Sequence, residues 1–180
     1  MSTNQKPLLS LDKVSFINQL KDIYEHSEWV AEGLYEQHAT LANGQQPLHD
    51  AVKAAMQDIV NQADDERKLA LLCAHPDLAG KAALAGELTD ASTSEQAGAG
   101  LDQCSPEELA TFTELNTEYR SKFGFPFIMA VKGATKDQIL AGFKERVPND
   151  RDTEFTRALN EVHKIAGFRL ADFPEVFWQR

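Results

Sequence analysis

The stretch from Cys73 to Leu101 concentrates side chains that could do acid and base chemistry. His75 directly precedes Pro76, and a proline disfavours helical angles in the residue before it, so the pattern predicts a loop after a helix. Histidine titrates nearest to neutral pH, which makes His75 a candidate general acid or base. A structural loop histidine is the more frequent case, and position alone leaves both interpretations open.

Three further polar residues could bind or act on a substrate. Ser92 and Glu95 have the spacing of a capping box, which predicts a helix start where unpaired N–H groups could receive a small anion. Glu95 is therefore either a functional carboxylate or the cap partner of Ser92. Arg169 lies near the end of the last predicted helix, where it either offsets the helix dipole or holds a planar anion through two parallel hydrogen bonds.

Apolar residues recur every three or four positions, which predicts an all-α fold of about eight helices in a single domain spanning residues 1–180. Capping patterns place helix starts at Ser27, Ser105 and Thr135 and a helix end at Gly124. The one strand-like segment, near 125–131, has no obvious partner strand. We expect it to be a buried extended connector whose backbone groups are satisfied by other groups, a ligand included.

Composition excludes several classes of protein. With 180 residues, 42% of them hydrophobic and 26% charged, the chain has the composition of a globular protein. Its net charge of -10 disfavours nucleic acid and anionic membranes as partners. No apolar run approaches the roughly 20 residues of a membrane span. The N-terminus lacks a signal-peptide pattern, so we expect a cytoplasmic protein.

Several common chemistries are also disfavoured. Cys73 and Cys104 are too few for a disulfide framework and match no zinc spacing. The sequence contains none of the patterns HExxH, GxxxxGK, GxGxxG or GxSxG that mark zinc, phosphate, dinucleotide or serine-nucleophile sites. The interpretation that remains is acid and base chemistry on a small anion without a cofactor.

Four strings in their order along the chain resemble one family. They are HPDLAGK at 75–81, Ser92-x-x-Glu95-Gln96 followed by AGL at 99–101, KFGFPFIMAVKG at 122–133 and EVHKIAGFRL at 161–170. Together they resemble the decarboxylases that act on 2-oxo-4-hydroxy-4-carboxy-5-ureidoimidazoline (OHCU) in uric acid degradation. The opening FINQLKDIYEHSEWVAE is similar to that family's first helices.

The resemblance implies an all-helical homodimer, without metal or organic cofactor, that converts OHCU to (S)-allantoin and carbon dioxide. It implies that His75 and Glu95 are catalytic. The residues implied to contact substrate are Pro76, Ser92, Gln96, Phe127, Ile128, Met129, Ala130, Val131 and Arg169. Eukaryotic relatives often end in a peroxisomal tripeptide, whereas this chain ends in Trp178-Gln179-Arg180, which favours a cytoplasmic enzyme of bacterial type. Two alternatives stay open: a non-catalytic ligand-binding or regulatory protein of purine metabolism, and a ureide hydrolase.

Overall fold

A computed structural model of the protein describes residues 6–80, 86 and 88–180. Lys81, the last residue of the HPDLAGK string, lies outside them. The described residues form nine α-helices and no strand, which confirms the all-α prediction. The helices are α1 (Lys13–Leu20), α2 (Trp29–Glu36), α3 (His38–Asn43), α4 (Leu48–Gln62), α5 (Asp65–Cys73), α6 (Asp90–Gly98), α7 (Pro106–Phe123), α8 (Lys136–Arg146) and α9 (Arg151–Ala171).

The ends of α7 and the start of α8 follow the predicted capping chemistry. The Ser105 hydroxyl accepts from the Glu108 N–H at 3.2 Å, while the Glu108 carboxylate accepts from the Ser105 N–H at 2.8 Å. Thr135 forms the same reciprocal pair with Gln138 at the start of α8. Gly124 ends α7 with a φ of 82°, a left-handed conformation that glycine adopts without a Cβ clash.

Two other predicted helix starts are wrong. The residue that precedes α2 is Glu28, and the Ser27 hydroxyl instead donates to the Glu25 carbonyl at 3.3 Å. Helix α6 begins at Asp90, because Thr89 caps it by accepting from the Ser92 N–H at 3.2 Å. Ser92 is thus inside the helix and is not its cap.

The chain forms two compact units, one made of residues up to Leu71 together with Ala166–Arg180, the other of Leu72–Ile165. In the first unit α2 packs against α1 and α4. The buried side chains there include Phe16, Leu20, Val30, Leu34, Val52 and Met56. That residues 1–180 act as a single domain stays a prediction.

The second unit has an aromatic core that fixes the 125–131 segment, which lies between α7 and α8 in the chain. The rings of Phe127 and Phe143 stack with their centroids 3.7 Å apart, and Tyr119 meets Phe127 edge-on at 5.2 Å. The segment is buried and non-helical, and no partner strand occurs in the described part of the chain, as predicted. None of the described helices is both long and apolar enough to cross a bilayer.

Candidate functional site

His75 lies in a loop just after α5, as predicted. Its N–H donates to the Leu72 carbonyl at 3.2 Å, which closes the last turn of the helix. Its side chain is buried, with 6% of the residue exposed. A buried imidazole at the start of a loop is held in few orientations, which suits directed proton transfer.

The residues after Pro76 form a tight turn with an unusual backbone. The Gly80 N–H donates to the Asp77 carbonyl at 3.3 Å. Ala79 has a φ of 50°, a left-handed conformation that costs an alanine roughly 1–2 kcal/mol. A Cβ at Gly80 would lie 2.7 Å from the Asp77 Cβ, so this position requires glycine. We call residues 75–80 the His75 loop.

Three side chains bond to the His75 loop from two helices. On α6, the Gln96 side-chain oxygen accepts from the Ala79 N–H at 3.0 Å, and the Gln96 amide nitrogen donates to the Asp77 carbonyl at 3.4 Å. On α7, the Asn116 amide donates to the Leu78 carbonyl at 2.8 Å, and Arg120 pairs with the Asp77 carboxylate at 2.8 Å. The left-handed Ala79 is thereby held by bonds to its own N–H and to its neighbours.

Helix α6 presents three of the predicted site residues on one face. Ser92, Glu95 and Gln96 are three and four residues apart, which places them side by side along the helix. Ser92 and Gln96 are buried and Glu95 is half-buried. Since Thr89 caps the helix, the interpretation of Glu95 as the cap partner of Ser92 is wrong. That Glu95 is catalytic stays a prediction.

Protein side chains satisfy at least two backbone groups of the 127–131 segment. The Ile128 carbonyl accepts from Arg146 at 2.6 Å, and the Ala130 N–H donates to the Glu161 carboxylate at 2.9 Å. Burial alone would raise the pKa of Glu161, but the Ala130 N–H and the Lys164 ammonium outweigh burial and hold that pKa below its usual range. Glu161 is therefore an ionised acceptor that fixes the Ala130 backbone.

Arg146 is itself held in a buried polar cluster with Tyr119 and Glu154. Its guanidinium bonds to the Glu154 carboxylate at 2.9 and 3.0 Å. The exposed fraction is 2% for the Arg146 side chain and 0% for the Glu154 side chain. The Tyr119 hydroxyl donates to the same carboxylate. Burial and this hydrogen bond raise the pKa of Tyr119, so the phenol stays a neutral donor. The guanidinium also lies 4.4 Å from the centre of the Phe127 ring.

Arg169 belongs to the first unit and lies in the last turn of α9. Its two terminal nitrogens donate to the Asp22 carbonyl at 2.9 Å and to the Glu25 carboxylate at 3.2 Å. Both Arg169 and Glu25 are buried. The guanidinium is thus held in a buried ion pair with a protein carboxylate, and its binding of a substrate anion stays a prediction.

Sequence reasoning did not assign a role to Asn116, Arg146 or Glu161, which fix the loop and the segment. The sequence signals were Asn116, four residues after Phe112 on the apolar face of α7, and Glu161, the first residue of the EVHKIAGFRL string. Across the described residues, no group of three or more His, Cys, Asp or Glu side chains could hold a metal ion.

Comparison with known proteins assigns the chain to a family. The sequence model described as OHCU decarboxylase matches residues 9–171 of the chain. The chain belongs to the OHCU decarboxylase family. A relative from Haloferax volcanii, named 2-oxo-4-hydroxy-4-carboxy-5-ureidoimidazoline decarboxylase, is 45% identical over 164 residues, covering 90% of each chain. A protein of the same name from Halalkalicoccus jeotgali is 42% identical over 89% of this chain and 86% of its own length.

Two solved structures are also similar to this chain. One, described as (S)-allantoin synthase, has a TM-score of 0.71 and 41% identity over 91% of this chain, which corresponds to 51% of that chain. The other is described as OHCU decarboxylase in the presence of (S)-allantoin and has a TM-score of 0.58 and 28% identity, covering 76% of this chain and 88% of that one. The family named from the sequence strings is therefore confirmed.

Proposed function

We propose that this chain catalyses the decarboxylation of OHCU to (S)-allantoin and carbon dioxide in urate degradation, without a cofactor. The observation that carries the proposal is the family match over residues 9–171. The name of the Haloferax volcanii relative and the (S)-allantoin named with the second solved structure support the same substrate and product.

The substrate's own structure supplies the electron sink that decarboxylation needs. The carboxylate of OHCU is attached to a carbon next to a ring imine. When the bond to carbon dioxide breaks, its electron pair forms a double bond to the imine carbon, and the imine nitrogen takes up a proton. The carbon that held the carboxylate then becomes a carbonyl by losing its hydroxyl proton, and a proton is added to the former imine carbon, which bears the ureido group and becomes the stereocentre. Positioning the breaking bond perpendicular to the imine plane can therefore supply much of the rate acceleration.

The residues divide this work by their chemistry. His75, with Glu95, takes up the proton of the substrate hydroxyl group. The same residues direct protonation of the enol-like intermediate to one face, which sets the S configuration. Arg169 binds an anionic or carbonyl oxygen of the substrate. The remaining binding residues are Pro76, Ser92, Gln96 and, through their backbone, Phe127, Ile128, Met129, Ala130 and Val131. Arg146 and Glu161 bond to the Ile128 carbonyl and the Ala130 N–H, so these two groups fix the segment, and other backbone groups of 127–131 would bind the substrate.

We also propose that the enzyme is a cytoplasmic homodimer. Its binding partner, apart from the second subunit, is its small-molecule substrate. The dimer follows from the family resemblance, and the net charge of -10 agrees with a partner that is neither nucleic acid nor an anionic membrane.

The chirality of the product tests the function. Urate is treated with urate oxidase and hydroxyisourate hydrolase, which generate OHCU in solution, with and without this protein. We expect rapid loss of OHCU absorbance and an excess of (S)-allantoin by circular dichroism only when the protein is present. Racemic allantoin formed at the uncatalysed rate would contradict the proposal. Release of urea or ammonia would instead indicate a ureide hydrolase.

Gly80→Ala is expected to lower kcat by about 10²-fold, the typical effect of displacing a catalytic group by about 1 Å. The added methyl group would lie 2.7 Å from the Asp77 Cβ, so the His75 loop would have to move. Steady-state kinetics on OHCU measure the effect. Gly98→Ala is the matched control, since a Cβ at Gly98 meets no atom within 4 Å. Equal kcat values for the two variants would contradict the requirement for this turn.

Arg169→Lys is expected to raise KM roughly 10- to 10²-fold, the equivalent of one lost charge-assisted hydrogen bond. Lysine keeps the positive charge but cannot reproduce the planar fork that bonds to Asp22 and Glu25. The comparison variant is Glu25→Gln, which weakens the same ion pair while leaving the guanidinium in the protein. We expect Glu25→Gln to lower Tm but raise KM less. An unchanged KM in Arg169→Lys would argue against substrate binding by Arg169.

A further inference from the structure

Asn116 is a buried amide with an incomplete set of hydrogen bonds. Only 5% of the residue is exposed, in the middle of α7. Its nitrogen donates to the Leu78 carbonyl at 2.8 Å, across 38 residues of chain. Its side-chain oxygen is buried and has no hydrogen-bond partner within the described part of the chain.

Stability alone does not account for this residue. A buried acceptor without a partner costs about 1–3 kcal/mol, whereas one intramolecular hydrogen bond contributes only about 1 kcal/mol. A leucine of similar volume would pack on the same face of α7 without that penalty. What only the amide provides is a fixed position for the Leu78 carbonyl, three residues after His75.

The other contacts of the His75 loop do not replace this bond. Gln96 bonds to the backbone on either side of Leu78, at Asp77 and Ala79, and leaves the Leu78 carbonyl to Asn116. The Arg120 pair with Asp77 is partly exposed to solvent, where an ion pair holds geometry less firmly than a buried hydrogen bond does. The Asn116 bond is therefore the buried contact that ties the loop to α7.

We infer that Asn116 is a positioning residue for the decarboxylation, which fixes the His75 loop through the Leu78 carbonyl so that the imidazole meets the substrate in one orientation. The inference rests on the proposed function, because it assigns Asn116 a role that acts through His75. It predicts that loss of the amide moves the imidazole and slows the chemical step more than it weakens substrate binding.

The test combines kinetics with NMR on two variants. Asn116→Leu removes the amide at similar volume, and Asn116→Ser keeps a polar group that is too short to reach Leu78. For both we expect kcat to fall roughly 10- to 10²-fold, with a much smaller change in KM. In protein labelled at its five histidines, the ring resonance of His75, identified by its loss in His75→Gln, should shift while the other four stay in place.

A control variant that lowers stability without touching the His75 loop separates positioning from general loosening. Ile139→Val makes a small cavity in the same unit without touching a hydrogen bond, and should lower Tm with an unchanged kcat and an unmoved His75 resonance. An unmoved His75 resonance in both Asn116 variants, or a kcat within about twofold of the parent, would overturn the inference. If His75→Gln retains activity, the catalytic assignment of His75 fails instead, and the resonance still reports whether Asn116 holds the loop.

Discussion

Replacing His75 with glutamine is expected to abolish measurable decarboxylation, a loss of at least about 10²- to 10⁴-fold, the usual contribution of a positioned acid or base. Glutamine keeps hydrogen-bonding capacity and similar size but cannot exchange a proton near neutral pH. The residue is buried in a loop fixed by its own backbone and by Gln96 and Asn116, so the substitution should leave the fold intact. Decay of OHCU absorbance measures the rate, and far-ultraviolet circular dichroism measures the fold.

His38→Gln is the matched control for His75→Gln. The His38 ring nitrogen Nε2 lies 3.1 Å from the Leu9 carbonyl, and His38 belongs to the other unit and has no proposed catalytic role. We expect a modest loss of Tm and a normal turnover. Turnover by His75→Gln within about tenfold of the parent would remove His75 from the chemistry, because that is less than a positioned acid or base contributes.

Arg146→Met is expected to lower the free energy of unfolding by about 3–5 kcal/mol, since it leaves the Glu154 carboxylate buried without its partner. For a chain of this size, that corresponds to a drop in Tm of roughly 6–20 °C. Binding should suffer as well, because the Ile128 carbonyl loses its donor and the Phe127 ring loses the guanidinium. Thermal unfolding and KM report the two effects separately.

The double variant Arg146→Met with Glu154→Gln separates two effects of losing Arg146. One is the cost to stability of burying an unpaired charge, and the other is the effect on KM of a displaced 127–131 segment. With the carboxylate neutralised, no unpaired charge remains inside the protein, so much of the lost stability should return. The Ile128 carbonyl still lacks its donor, and KM should stay high. Lys13→Met, which breaks an exposed ion pair with Glu36, should leave Tm almost unchanged. A parent-like Tm in Arg146→Met alone would contradict the proposed energetic role of the pair.

Helix ends were predictable where the capping chemistry is confined to a few adjacent residues. Ser105 with Glu108, Thr135 with Gln138, and Gly124 each satisfy backbone groups within one turn, so the sequence contains the whole interaction. The prediction failed at Ser92 because Thr89, three residues earlier, can also cap a helix, whereas the local spacing of Ser92 and Glu95 favoured the later start.

The contacts that fix the proposed site could not be predicted, because each pairs a side chain with a distant backbone group. The bonds from Asn116 to Leu78, from Arg146 to Ile128 and from Ala130 to Glu161 span 38, 18 and 31 residues. Every residue has a backbone carbonyl and nearly every one has an N–H. The sequence therefore does not indicate which backbone group a side chain will bond to. The resemblance implied candidate substrate-contacting residues, but not the residues that fix those candidates in position.

The left-handed alanine at position 79 has a consequence for engineering. Selection for heat tolerance alone favours substitutions that remove backbone strain. Glycine at position 79 would remove the strain of the positive φ. The same change would widen the range of shapes open to the turn beside the imidazole. A library screened only for survival on heating would therefore enrich variants that persist longer and turn over more slowly, so such a screen should score allantoin formation in the same round.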